Sequence, residues 1–553
     1  MFAKPPLRRS QLRAPLKKLL PANSLGWCAL LVALLLALPI VAIVTYVFTG
    51  SFQLWQHLWQ TVLVDYVSHS LLLMLGVSAG VLLLGVPTAW LTSMYRFPGS
   101  RCLSWALLLP LAFPAYIIAY TYTGLLDPAG SVQQTLRDVM GWEYGDYSFI
   151  NIRSLPGAII MLSLVLYPYV YLLSRTAFLE QSASLLNAGR SLGGHRKRLF
   201  FTLVLPMARP AIIAGLTLAL METLADFGTV QYFGVNTFTT GIFRAFYGFG
   251  DTAAAAQLAS VLLSFVVLLI LLERYARRKV RYHSKKTDSP EKITLKGSKA
   301  LAALACCLLP LLLGFIIPAS VLVYWTFTEA VIDDGFGLLA WHSFYLAGLA
   351  ALIALVFTLI LAYAKRSNQR VLITSSVNFA SMGYALPGTI IAIGVIIPFA
   401  WLDHAIIALA KQWFGVDLGL LLSGTLVALL FAYTVRFLAV SLGAIDSGLQ
   451  QIKPNLDNAA RLSGRKPLAV LRDVHLPLMR TSVLTALLIV FVDVLKELPA
   501  TLILRPFNFN TLAVRAYELA SDERLIDAAP ASLCIVLVGL LPVVLLSRSI
   551  NKP

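Results

Sequence analysis

The chain has 553 residues, of which 58% are hydrophobic and only 13% charged, with a formal net charge of +18. A water-soluble chain of this size carries roughly a quarter charged residues, so the composition excludes a soluble globular protein. The basic surplus would suit nucleic acid, but its distribution along the chain points elsewhere.

Twelve apolar stretches follow one another, at 27–48, 69–92, 103–126, 155–173, 208–230, 255–272, 300–325, 342–363, 376–400, 420–440, 481–503 and 528–547. Each has the ~17–25 residues needed to cross a ~30 Å hydrocarbon layer. The expected fold is all-α: a polytopic protein of about twelve transmembrane helices in a lipid bilayer. The first stretch follows Lys and Arg as a signal peptide would. It is longer than the ~7–15-residue apolar core of such a peptide, and "TYVFTGSF" offers no A-x-A cleavage site, so a retained first helix is expected.

With the N-terminus inside, 36 of the 44 Lys and Arg residues fall in inner segments, seven fall in outer loops, and Lys496 lies within or beside a helix. That asymmetry is the positive-inside rule. It explains the basic charge with no nucleic-acid partner, and it predicts that both termini face the cytoplasm. The five cysteines (Cys28, Cys102, Cys306, Cys307 and Cys534) lie in or beside apolar stretches without metal-ligand spacing. They read as small buried hydrophobes, and no metal ligands are assigned.

The main break is "ERYARRKVRYHSKKTDSPEKITLKGSK" at 273–299, polar and basic, which reads as a cytoplasmic linker. It separates residues 1–272 from 300–553, with six apolar stretches on each side, so both halves enter the membrane in the same orientation. The halves repeat at an offset of 271: Asn187-Ala188 with Asn458-Ala459, Gly193 with Gly464, Leu205-Pro206 with Leu476-Pro477, Glu222 with Asp493, Asp226 with Glu497, and Thr240 with Thr511. Several of these matches are polar, so shared oiliness does not account for them. The pattern is that of a parallel, pseudo-symmetric repeat.

The repeated loops, "NAGRSLGGHRKRLFFTLVLP" (187–206) and "NAARLSGRKPLAVLRDVHLP" (458–477), each place Pro thirteen residues after Gly. Asn187 and Asn458 are expected to cap a helix, Gly193 and Gly464 to make a turn that other residues resist, and Pro206 and Pro477 to open the next helix. One such loop could be an interfacial helix lying on anionic lipid. Two at equivalent positions suggest docking sites for a two-fold symmetric partner.

These residues resemble the E-A-A–x3–G–x9–I–x–L–P loop of the membrane subunits of binding-protein-dependent ABC importers. Here Asn stands at the first position, and Leu203 and Val474 stand at the Ile position. The fused two-half layout is similar to ferric iron and thiamine permeases, and "KELPATLILRPFNFNTLAVRAYELASDERL" (496–525) looks most like the iron branch. The resemblance implies that the two loops are coupling helices for two ATPase subunits on the cytoplasmic side. It also implies a substrate-binding protein on the outer side and a place in the bacterial inner membrane. The chain holds no G-x-x-x-x-G-K-[ST] phosphate loop, so ATP is expected to be used by partner subunits, with no cofactor held stably here. Thiamine or another small cation, and an ion-gradient-driven transporter, are the competing readings. The latter would need no ATPase docking pair. No cluster of His, Cys or Ser with catalytic spacing points to an enzyme.

Glu222 with Asp226, and Asp493 with Glu497, are spaced i, i+4, which predicts one helical face for each pair. Counting from Arg209, Glu222 would lie ~20 Å and Asp226 ~25 Å deep. Intramembrane acids are costly and usually face a cavity or bundle interior. Two readings stand: a negative vestibule for a cation, or hydrogen bonds to helix ends across the half–half interface with Lys496 neutralising one acid. The tyrosines of "YPYVY" (167–171) could ligate ferric iron, but an interfacial belt is the commoner use of such residues.

Overall fold

A computed structural model describes residues 24–49, 52–180, 196–277, 292–367, 370–462, 464–465 and 467–550. Among them, nine helices are long and apolar enough to cross a membrane. Two bent helix pairs add up to two more spans, and Ala529–Leu545 is a shorter apolar helix. The twelve expected stretches therefore all correspond to helices, but four of them break or stop short.

The breaks follow proline and capping chemistry. The stretch at 103–126 divides into Ser100–Ala112 and Ala115–Met140, bent by 91°, because Pro114 takes an extended ψ of 140° before the second helix starts. The stretch at 376–400 divides in the same way: Pro387 has ψ 142° and helix Gly388–Phe414 begins after it. Proline has no N–H to give a preceding turn and disfavours helix in the residue before it. The stretches at 208–230 and 481–503 end at Ala225 and Leu495, where Asp226 and Glu497 take over.

The duplication is visible in the helices. Leu63–Met94 and Phe336–Ser367 correspond at an offset of 273, as do the two proline breaks. Leu155–Leu179 and Leu426–Gln451 then correspond at 271. Thr240 and Thr511, paired by sequence, have different roles: Thr240 is the third residue of helix Phe238–Phe243, whereas Thr511 is the N-cap of helix Leu512–Ser521.

Two compact units form, and they do not follow the sequence halves. One contains residues 24–45, Trp341–Leu495 and Leu504–Phe509. In it the first helix, Ser24–Thr49, crosses Gly388–Phe414 backbone to backbone, because a Cβ on Gly394 would lie 2.5 Å from the Pro39 carbonyl oxygen. The other contains Tyr46–Ala340, Lys496–Ile503 and residues 510–550. There the Ser298–Thr328 span, the first of the second half, joins helices of the first half: Tyr122 donates its hydroxyl to the Leu313 carbonyl at 2.6 Å. Each sequence half thus lends its opening helix to the unit built mainly from the other half.

The linker is partly structured. Helix Thr252–Arg277 extends into it. Beyond residue 291, Ile293–Thr294 pairs in parallel with Tyr95–Arg96, and Lys292 donates to the Thr92 carbonyl at 2.8 Å. Burial, followed by the nearby Arg175, Arg96 and Arg101 charges, pulls the Lys292 ammonium below its ordinary pKa.

Candidate functional site

The repeated loop can be followed in its second copy. Helix Pro454–Leu462 leads to Gly464, whose φ of +76° is the left-handed conformation that favours glycine. The Arg465 N–H returns to the Ala460 carbonyl at 3.2 Å and closes the helix end. A second helix starts at Pro467 and widens into a π turn at Leu471–His475, directly before Leu476-Pro477. The first copy has the same feature, a π turn at Phe200–Val204 before Leu205-Pro206. The wide turn bonds Leu205 N–H to Phe200 and Leu476 N–H to Leu471, so the helix continues through the junction at a residue without an N–H of its own.

Two expectations change here. Asn458 lies inside helix Pro454–Leu462 and does not cap it, because Pro454 starts the helix four residues earlier. Pro206 and Pro477 do not follow a loop but continue a helix widened by the π turn. After Pro477 the helix bends by 82° between Leu468–Leu478 and Arg480–Leu495. Asn187, Ala188 and Gly193 lie outside the described residues. Ala459 is in the same helix as Asn458.

A polar knot that the sequence reading missed fastens the second loop. Arg366, near the end of helix Phe336–Ser367, donates to Asp457 at 2.9 Å, to the Ile452 carbonyl at 3.0 Å and to the Leu449 carbonyl. The other Asp457 oxygen lies 2.7 Å from Nε2 of His475, a fully buried ring whose neighbour is Tyr363. Burial raises the Asp457 carboxyl's pKa, but the hydrogen bonds from Arg366 and His475 outweigh it and hold the group below its ordinary value. The end of one helix, Arg366, and the last residue of the π turn, His475, therefore share the Asp457 carboxylate. No motif marks this: its members are 91 and 18 residues apart.

The four acids do not form two i, i+4 faces. Helix Leu205–Ala225 ends with Asp226 in an extended conformation (φ −66°, ψ 133°), so Glu222 is helical and Asp226 is not. Asp226 accepts from Thr229 Oγ1 at 3.0 Å and Val230 N–H at 3.1 Å, which caps the short helix Gly228–Tyr232. The second copy repeats this. Glu497, 5% exposed, accepts from the N–H groups of Ala500 and Thr501, both at 3.1 Å, and caps Pro499–Leu504. Asp493 stays within Arg480–Leu495. Asp226 and Glu497 thus each cap the short helix that directly follows them. The two turns meet within one unit: a Cβ on Gly228 would lie 3.0 Å from Leu498 Cδ2 and 2.6 Å from Tyr116 Cβ.

The profile described as "Binding-protein-dependent transport system inner membrane component" matches residues 81–282 and again 354–551. The chain belongs to this family. It is therefore an inner-membrane, multi-pass transport component with both permease copies in one polypeptide.

Among the relatives of this family member is an Fe(3+)-transport system permease protein of Haemophilus influenzae. It is 27% identical over 542 residues, covering 96% of this chain and 99% of the relative. The molybdenum transport system permease protein of Escherichia coli is 27% identical over 226 residues, covering 40% of this chain and 93% of its own length. A sulfate transport system permease protein of Salmonella typhimurium is 29% identical over 272 residues, covering 46% and 94%. Relatives of half the length match one copy, and the ferric relative matches the fused pair.

Proposed function

We propose that this chain is the fused permease of an ABC importer for ferric iron. The observation that carries the reading is the end-to-end match to an Fe(3+) permease, linker and both copies included. Carboxylates at the repeated turns, half-buried at Asp226 and buried at Glu497, favour a cation over molybdate or sulfate by simple charge. In this reading the sequence halves 1–272 and 300–553, joined by 273–299, are the two permease copies, and Glu222, Asp226, Asp493 and Glu497 lie along the substrate path. Two ATPase subunits dock on the Gly–Pro loops from the cytoplasm and use the ATP. A binding protein delivers the ion from outside, and this chain holds no cofactor stably and catalyses no reaction of its own.

The test is uptake by cells lacking their own ferric importers, expressing this chain with its ATPase and binding protein. Radioactive iron supplied as ferric citrate should accumulate, and labelled molybdate and sulfate should not. Accumulation of an oxyanion without iron would refute the ferric assignment and leave the family membership intact.

A further inference from the structure

Helix Ala115–Leu126 carries Tyr116 and Tyr120 on successive turns, 5% and 3% exposed, with ring centroids 5.7 Å apart. Tyr120 meets Tyr232 edge-on at 4.6 Å. The hydroxyls of Tyr116 and Tyr120 are buried and have no hydrogen-bond partner among the described residues. Buried phenols normally find one; two that do not, side by side, call for an occupant.

Their surroundings say what kind. Tyr116 packs against Gly228, two residues beyond Asp226, and Gly228 also faces Leu498, the residue after Glu497. Outward from them, the Arg153 guanidinium lies 5.0 Å from the centre of the Tyr232 ring. Arg153 is itself clasped by Asp127 at 2.8 Å and by both Glu523 oxygens at 2.7 Å. Asp127 and Glu523 line a cavity of about 850 Å³, together with Glu329 and Gln134. All of these residues belong to one compact unit.

We propose that Tyr116, Tyr120 and Tyr232 form a ladder of phenol oxygens that takes a hard trivalent cation from the Asp127–Glu523 cavity to the turns at Asp226 and Glu497. The inference rests on the ferric reading above. A cation entering the cavity competes with Arg153 for Asp127 and Glu523 and frees the way past Tyr232. Phenolate and carboxylate oxygens are hard donors suited to Fe(III). As each Fe–O bond forms, a phenol O–H bond breaks, and the proton passes to the water, hydroxide or chelator oxygen that the iron leaves. The oxidation state does not change. Few donors at each rung keep binding weak enough for release.

The ladder is tested on the purified full-length protein titrated with ferric nitrilotriacetate, reading the visible phenolate-to-iron charge-transfer absorption. The wild type should develop the band. Tyr116→Phe, Tyr120→Phe and Tyr232→Phe should each reduce it at least twofold, and the Tyr116→Phe/Tyr120→Phe double variant should abolish it. Tyr167→Phe, which removes another buried phenol without a partner among the described residues, should leave the band unchanged. In cells, the double variant should express normally and lose at least tenfold in ferric uptake. No band in the wild type, or a band untouched by the three substitutions, overturns the ladder whatever the variants do to folding. Wild-type uptake matched by the double variant overturns the ladder alone; wild-type cells that import no ferric iron overturn the ferric reading and the ladder with it.

Discussion

Asp226 and Glu497 are 271 residues apart and do the same work: each follows the end of a membrane helix and caps a short helix with its carboxylate. A cap of this kind is worth about 1 kcal/mol. Asp226→Ala and Glu497→Ala should therefore each lower thermal stability in detergent by about that amount. Asp226→Asn and Glu497→Gln keep an acceptor oxygen and should lose less. If uptake falls in the amide variants while their melting temperatures hold, the charge serves the substrate as well as the cap. Melting losses as large in the amides as in the alanines would show that capping by an acceptor oxygen is not what these residues supply.

Residue pattern foretold most of the fold and less of the site. Twelve apolar stretches were legible because membrane crossing imposes a length and composition on every helix. The turn at Gly464 was legible for a similar reason, since few residues tolerate its φ. The helix ends at Ala225 and Leu495 were hidden because Phe227, Val230 and Leu498 continue the apolar run after the backbone has turned. Pro114 and Pro387 did mark their breaks, and comparing them would have revealed the front part of the repeat at its own offset of 273. The exchange of opening helices leaves no mark in a periodicity, because a helix buried against one neighbour needs the same apolar face as one buried against another. Nor does the Asp457 knot leave one, since it depends on residues brought together from distant segments.

The orientation can be read with cysteine substitutions in a background lacking the five native cysteines. Ser131, exposed at the start of helix Ser131–Met140, should label with a membrane-impermeant thiol reagent in intact cells when changed to Cys. Ser284→Cys in the basic linker should label only after the cells are opened, because the positive-inside bias predicts a cytoplasmic side for that segment. The opposite pattern would reverse the topology and move both Gly–Pro loops away from any cytoplasmic ATPase.

Gly464 offers a test of coupling that is separate from membrane folding. At φ +76° an alanine costs about 1 kcal/mol locally, and among the described residues nothing lies within 4 Å of where its Cβ would be. Gly464→Ala should therefore insert and fold, with a weaker turn. Gly464→Asp adds a charge on the same exposed turn and should reduce ATPase co-purification severalfold; Gly193→Asp, its sequence counterpart, should do the same. Undiminished co-purification and uptake in both aspartate variants would rule out the loops as docking sites.

The last prediction turns on a difference between the copies. At the 271 offset, the second loop's Asp457 and His475 correspond to Leu186 and Val204, so the first copy lacks both partners of the knot. Asp457→Ala would leave the largely buried Arg366, 16% exposed, without its carboxylate; breaking a buried pair from one side costs about 3 kcal/mol. Asp457→Asn should cost less, since it retains an acceptor. The pH dependence follows from the sign of the shift. Asp457 is held below its ordinary value of 3.8, so its contribution is full above that pH and lost as pH falls through the lower folded value. Melting temperatures of wild type and Asp457→Asn should therefore differ by a constant amount from pH 5 to 8 and converge in acid. A difference that opened only above pH 5 would assign the knot's stability to another group. Because Arg366 holds the second loop through Asp457, Asp457→Ala should also weaken ATPase attachment more than Leu186→Ala does, as measured by co-purification of the two variants at equal expression.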